Sequence, residues 1–309
     1  MERKKRLSGF RSTLSGQMRS EARWAFIFAL PALIGFAVWV AGPLLASFVI
    51  SLSDWRVGAS LHIAGFQNYA RMLSSDKLFP KSLLATTYFS FTSVPLTILV
   101  SFAVAVLLNQ RIVGVAAFRT LLYLPSIVPS VASAMLWLWL FNPNFGLLNY
   151  LLSIVGLPKL LWLRDEVQVI PSLVLMSIWR MGGSMVIFIA ALQGVPQSLY
   201  EAVEIDGGGA WRKLVHVTIP LMTPALFFNF IIGFINSFQL FTRPYIMTEG
   251  GPDNASLSLV YYVFLNGFRY GRMGYASSLA WTLFVVILVL TLLFFRFSRS
   301  LVYYETKDR

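Results

Sequence analysis

The chain has 309 residues, of which 57% are hydrophobic and only 12% charged, with a formal net charge of +12. A soluble domain carries roughly a quarter charged residues, so this composition excludes an ordinary water-soluble globule. Cysteine is absent, which rules out disulfides, thiolate metal sites and cysteine nucleophiles.

In chain order, the apolar residues gather into six blocks, at about 24–51, 83–108, 120–141, 169–193, 221–242 and 276–295. Each can cross the roughly 30 Å hydrocarbon layer as a helix, for which about 20 residues suffice. Membrane strands would instead alternate apolar and polar residues over about ten positions. The sequence therefore predicts an all-α membrane protein with six transmembrane helices in one domain over 24–295. A basic segment 1–23 precedes it and a polar tail 296–309 follows. The first block carries a basic leader, "MERKKRLSGFR", but it is longer than a signal-peptide core and no small-residue cleavage site closes it, which predicts a retained span.

The placement of the bases predicts orientation. Segments 1–23, 109–119, 194–220 and 296–309 hold 15 Lys or Arg in 75 residues, whereas 52–82, 142–168 and 243–275 hold 9 in 91. Cytoplasmic loops are the basic ones, so both termini are expected inside. The basic leader is then expected on the anionic inner leaflet. The net charge thus reads as topology, with no nucleic-acid partner.

Pro31, Pro43, Pro95, Pro125 and Pro129 fall in or near spans and predict kinks whose freed backbone groups neighbouring helices re-satisfy. Outside, "IAGFQNYARML" (63–73) sets Phe66, Tyr69 and Leu73 near one helical face, and 141–158 contains an apolar run too short to span. All 13 Asp and Glu lie outside the apolar blocks, and the two histidines, His62 and His216, fall on opposite predicted sides. A proton relay, a zinc site or a Ser-His-Asp triad has no residues to draw on. The phosphate-binding pattern Gly-x4-Gly-Lys-Ser/Thr is missing as well. The spans offer no converging catalytic groups for an enzyme, and any uphill movement of a solute would draw its energy from a partner.

Two spans carry polar groups. Arg180 sits near the centre of the fourth block, where a charge costs about 2.5–3.5 kcal/mol on insertion scales, so it should face the bundle or a wet cavity. In the fifth block, with Asn229 at zero and about 100° per residue, Gly233, Asn236, Ser237 and Gln239 fall within about 80° to either side. These residues, with Phe238 beside them, predict an inward polar stripe of amide and hydroxyl groups next to an aromatic ring.

The segment 198–222, "SLYEAVEIDGGGAWRKLVHVTIPLM", sets three acids, three consecutive glycines and two bases between two apolar blocks. Ser198 with Glu201 three residues on reads as a capping box. Asp206 and the glycines at 207–209 stop that helix, because glycine accepts the left-handed conformation at a helix end. "AWRKLVHV" then opens a second helix, and Pro220 marks the start of the fifth span. So short a helix–turn–helix has too little apolar surface to stand alone and needs another protein surface to pack on.

Glu201-Ala202-Val203, three residues, Gly207, nine residues, then Val217-Thr218-Ile219-Pro220 resembles the EAA loop of permease subunits of ABC importers, in particular the binding-protein-dependent sugar group of maltose type. Val203, Val217 and Ile219 are conservative departures from that pattern. "GFQNYARML", "NPNFGLLNYLL" and "MTEGGPDNAS" (247–256) resemble further family segments in the same order, so the likeness covers most of the chain. The resemblance implies the type I ABC importer permease fold in a bacterial or archaeal cytoplasmic membrane. It also implies a second homologous permease subunit, two cytoplasmic ATP-binding subunits that hold ATP and magnesium, and an extracytoplasmic solute-binding protein that delivers sugar. On that basis Glu201, Ala202, Asp206 and Gly207 couple to the ATPase, this chain binds no cofactor, and Asn236, Ser237, Phe238, Gln239 and Arg180 are candidates for the substrate path. The alternative is an ion-coupled secondary transporter, which would be expected to show inverted repeats and coupling-ion sites.

Overall fold

The computed structural model describes residues 21–110 and 113–298; most of the basic leader and most of the tail lie outside the described residues. Among those residues the regular structure is helical, apart from one isolated bridge between Ser53 and Ile63. Four helices are long and apolar enough to cross a membrane: α1 (Glu21–Ser51), α3 (Leu78–Leu108), α10 (Ala210–Phe238) and α12 (Met273–Ser298). Two bent pairs account for the third and fourth apolar blocks: α4 (Val115–Ile127) with α5 (Ser130–Leu140), and α7 (Val169–Trp179) with α8 (Gly182–Gln193). Counting each pair as one span makes six.

The bend at Pro129 is a kink of the kind the prolines predict, whereas the bend at Arg180–Met181 was not expected, and their causes differ. Between α4 and α5 the axis turns by 100°. Val128 (ψ 129°) and Pro129 (ψ 140°) are both extended there, because proline forces the residue before it out of the helical region. Between α7 and α8 the turn is 46°, with no proline at Arg180 or Met181. There the cause is tertiary: a Cβ on Gly182 would lie 2.7 Å from the Leu122 carbonyl oxygen and 2.8 Å from Tyr123 Cα. Gly182 lets α8 press against the backbone of α4. By contrast, the helices run on through Pro31 and Pro95.

The long helix α3 is the axis of the packing. Ser82, Thr86, Ser90, Ser93 and Ser101 are all buried on it, with Ala85 and Ala105. In a bilayer, lipid tails compete for apolar contact, so small residues that let backbones approach are what drive helix association. Three clusters surround this stripe: one joins α3 to α10 and α12 through Phe234, Phe238 and Leu279, one joins it to α5 and α7 through Phe89, Trp137 and Met176, and one joins it to α8 and α10 through Ala105, Phe188 and Met222. The stripe also makes polar joints, since Thr86 Oγ1 accepts from the Leu259 N–H at 2.8 Å.

The N-terminus of α3 is held by Asp76. Its Oδ1 accepts from the N–H groups of Leu78 (2.8 Å) and Phe79 (3.2 Å). Its Oδ2 accepts from the hydroxyls of Tyr262 (2.6 Å) and Tyr275. Burial raises the Asp76 pKa, but these hydrogen bonds outweigh it and leave the carboxyl below the usual carboxylate value. Burial first, and then the bond to Asp76, push the Tyr262 hydroxyl up. One carboxylate thereby ties α3 to α11 (Leu259–Phe264) and α12.

The outer segments fold as short helices, α2 (Gln67–Ser74) and α6 (Leu147–Ile154). Phe66 and Leu73 are exposed beside or on α2 as expected, whereas Tyr69 turns inward to share a 2.9 Å hydrogen bond with Ser51. The most apolar window of α1 buries nothing against the rest of the chain. Its C-terminal end meets α12, where Trp281 Nε1 donates to Ser47 Oγ at 3.1 Å.

Candidate functional site

Two polar features share one helix. The first begins with α9 (Gln197–Ile205), which is a helix as expected but is not capped as expected. Pro196 occupies the N-cap position with an extended backbone, and no side chain caps the helix. Ser198 lies inside the first turn, so the capping-box reading is corrected: a proline with ψ 128° starts the helix two residues sooner.

The glycine stop is as the sequence predicts. Gly207 has φ +72°. Its N–H donates to the Glu204 carbonyl at 2.9 Å, and the Gly208 N–H donates to the Val203 carbonyl at 2.7 Å. This pair of bonds is the Schellman motif, which satisfies the last carbonyls of a helix by placing one residue in the left-handed region. Gly208, read from the sequence only as part of the glycine stop, is held by a close approach: a Cβ there would fall 2.8 Å from the Val203 carbonyl oxygen and 2.5 Å from its side chain. The turn needs Gly207 for its dihedral angle and Gly208 for its close approach.

After the turn the chain does not form a separate short helix. It runs as α10 from Ala210 to Phe238, 29 residues and about 43 Å at 1.5 Å per residue, with Leu214–Thr218 in a π-helical turn. Pro220 stands in the first turn of the regular α-helical part of α10, Ile219–Phe238, where the sequence places it. Tyr200 and Thr218 share a hydrogen bond of 3.1 Å, and Lys213 pairs with Glu204, so α9 is tied to the base of α10. Glu201, Ala202, Asp206 and Gly207 are exposed, as are Leu199, Ile205 and Trp211. An acid among exposed apolar side chains gives this end the composition of a docking surface.

The second feature is a cleft of about 200 Å³ near the other end of α10. Asn229, Gly233, Asn236 and Ser237 line it from α10. Ser93 and Thr97 face it from α3, and Ser177 and Ser184 from α7 and α8. Asn229 donates to the Ala225 carbonyl at 2.9 Å and Ser237 to the Phe234 carbonyl at 2.9 Å, so both are held within their own helix. The Asn236 side chain is exposed and makes no hydrogen bond among the described residues. The predicted polar stripe is therefore one wall of the cleft over 229–237.

Three candidates lie elsewhere. Phe238 is 1% exposed and packs in the core beside Phe234, with ring centroids 6.3 Å apart, so it does not line the cleft. Gln239 caps the end of α10 and is exposed away from the cleft. The fifth span was expected to run to 242, but its helix ends at Phe238. Beyond that end Ser258 Oγ donates to the Leu240 carbonyl at 2.6 Å. Arg180 sits at the bend between α7 and α8, with Nη2 3.5 Å from the Ser126 carbonyl near the end of α4. That contact is long and belongs to the backbone of the other bend.

Arg243, which hydropathy assigned to an outer segment, lines the cleft. Its Nη1 donates to the Leu173 carbonyl at 3.1 Å and to the Ser177 hydroxyl, and its guanidinium lies 5.8 Å from the Phe89 ring centre. Burial, and after it the Arg180 charge, lower its pKa to about 10, so it stays protonated at neutral pH. The available signal was its position immediately after the apolar block 221–242.

The family model described as the inner membrane component of binding-protein-dependent transport systems matches residues 97–302. The probable ABC transporter permease protein YesP of Bacillus subtilis is 36% identical over 95% of this chain and 96% of its own. The trehalose/maltose transport system permease protein MalF of Thermococcus litoralis is 32% identical over 90% and 95%. In fold the chain is similar to a subunit of a bacterial alginate ABC transporter, solved in complex with its alginate-bound periplasmic protein. There the TM-score is 0.80 at 20% identity, covering 92% of this chain and 96% of that one. These likenesses displace the ion-coupled alternative, and the chain belongs to the family of ABC-transporter permeases that form the inner membrane component of binding-protein-dependent transport systems.

Proposed function

We propose that this chain is the permease subunit of an ATP-driven importer that passes a sugar, delivered by an external solute-binding protein, across a bacterial or archaeal cytoplasmic membrane. Each bent pair counts as one span, which makes six, with both termini in the cytoplasm. A second homologous permease completes the path, and two ATP-binding subunits hold ATP and magnesium beneath it. Glu201, Ala202, Asp206 and Gly207 present the coupling surface to one of these, while Asn236 and Ser237 face the substrate.

The observation that carries this reading is the continuity of α10. One helix begins just after the glycine turn and ends at the cleft, so a displacement at Ala210 moves Asn229, Gly233 and Asn236 with it. The relatives whose names include trehalose, maltose and lactose support sugar as the cargo. The test is purification of the tagged chain with its genomic neighbours, followed by uptake in proteoliposomes. An ATPase subunit should co-purify, and sugar uptake should require both ATP and the binding protein. Uptake driven by an ion gradient without ATP would refute the assignment.

A further inference from the structure

The cleft has charge of one sign. Arg243 lines it, Arg180 is near enough to act on Arg243 electrostatically, and no carboxylate is among the lining residues. The ion pairs among the described residues, Lys81 with Asp253 and Lys213 with Glu204, involve neither arginine. Arginine in a shielded position is normally matched by a carboxylate, since an uncompensated charge is costly there.

The bonding of Arg243 is also incomplete. Only Nη1 is used, on the Leu173 carbonyl and the Ser177 hydroxyl, and these hold the side chain in place against Phe89. Nε and Nη2 take no acceptor among the described residues, and neither is among the side-chain atoms sealed from solvent without a partner. They form the lateral edge of the guanidinium fork, whose two parallel N–H groups match the two oxygens of a carboxylate or phosphate. A neutral sugar hydroxyl would use that edge one bond at a time and leave the charge unmatched. Around it Asn236, Thr97 and Ser184 offer the amide and hydroxyl groups that sugar hydroxyls need.

We propose that the cleft receives an anionic glycoside, a sugar bearing a carboxylate or phosphate group, and that Arg243 recognises the anion through its Nε–Nη2 edge. This rests on the importer reading above and adds the charge of the cargo.

The test uses the whole transporter with its ATPase subunits, partner permease and binding protein in proteoliposomes. The probes are uronate disaccharides, the same disaccharides after reduction of the carboxyl to an alcohol, and hexose phosphates. Wild-type uptake should favour a charged probe over the reduced disaccharide by about tenfold to a hundredfold, the range expected for hydrogen bonds to a charged group. Uronate and phosphate arms separate the two anion types. Arg243→Gln should bring the charged-to-neutral ratio toward unity, and Arg243→Lys should retain part of it, as a charge without the fork. Assembly of each variant is followed by co-purification of the ATPase; if the Gln variant does not assemble, the wild-type ratio and the Lys variant decide. ATP-driven uptake of neutral disaccharides with neither charged probe carried overturns the proposal, as does an unchanged ratio in an assembled Gln variant. Absence of ATP-driven uptake for every probe, neutral ones included, removes the importer reading itself.

Discussion

At its Ala210 end, α10 follows a turn whose hydrogen bonds all run between residues no more than five apart, from Gly207 to Glu204 and from Gly208 to Val203. At its Phe238 end it faces side chains from α3, α7, α8 and the segment beyond it, some more than a hundred residues away in sequence. The first end is exposed and complete in its own backbone. The second takes its shape from neighbours. A device that must present one surface to a partner can be built locally, because glycine dihedral angles and a helix stop are enough to define it. A cleft that must enclose a solute needs walls from several helices.

The largest expected effects break the local end. Gly208→Val places a branched side chain against the Val203 carbonyl, and overpacking of this kind costs about 1–3 kcal/mol, so ATP-driven uptake should fall by about tenfold or more. Gly207→Val forces a β-branched residue to φ +72° and should act in the same direction. In both variants the chain should still insert, as judged by its yield in the membrane fraction. Wild-type uptake in both would mean that the turn does not couple to the ATPase.

The cleft end is sharpened by a paired substitution. Asn236→Leu removes an exposed amide from the wall and should reduce uptake several-fold, about 1 kcal/mol for one hydrogen bond. Gln239→Leu, three residues on but off the cleft, should leave uptake within about twofold, as surface substitutions usually do. Measured across a range of sugar concentrations, equal effects from the two would show that the cleft wall is not the path.

A smaller effect is expected where the two ends are joined. Tyr200→Phe deletes the hydrogen bond to Thr218 and should weaken the hold of α9 on α10 by about 0.5–1.5 kcal/mol. Uptake per ATP hydrolysed should fall while substrate affinity stays the same. An unchanged ratio would mean that the Lys213–Glu204 pair alone maintains the joint.

The smallest effect contrasts the glycine turn with the Asp76 joint by pH. Asp76 has a lowered folded pKa, so its stabilisation is present above the ordinary carboxylate value of about 3.9 and is lost as pH falls below it. Tyr262 has a raised pKa, so its share is present below about 10 and is lost as pH rises above that. Hydrogen exchange, corrected for intrinsic rates, should loosen at residues 76–79 and 259–264 below about pH 4 and stay flat between pH 5 and 9. The glycine turn at 203–208 uses backbone bonds and should show no such step. Asp76→Asn should abolish the acid step; a step that persists would assign it to another group.

Apolar block length placed the four helices long enough to cross a membrane and the two bent pairs, because a helix in lipid must satisfy its own backbone and so declares itself by composition. The glycine stop at Asp206–Gly209 was equally legible, since its cause is a local dihedral requirement, and helical spacing alone put Asn229, Gly233, Asn236 and Ser237 on one face. Spacing could not separate Phe238 from them, because 100° steps define a face and not what packs against it. Tertiary structure decided that Phe238 belongs to the core, that Gln239 falls beyond the helix, and that Gly182 against Leu122 bends the fourth span. It also decided that Arg243, outside every span by hydropathy, comes back to the cleft through Leu173 and Ser177. Helix type and length follow from interactions within a few residues. Which side chains meet across the bundle depends on how closely the small residues of α3 let its neighbours approach.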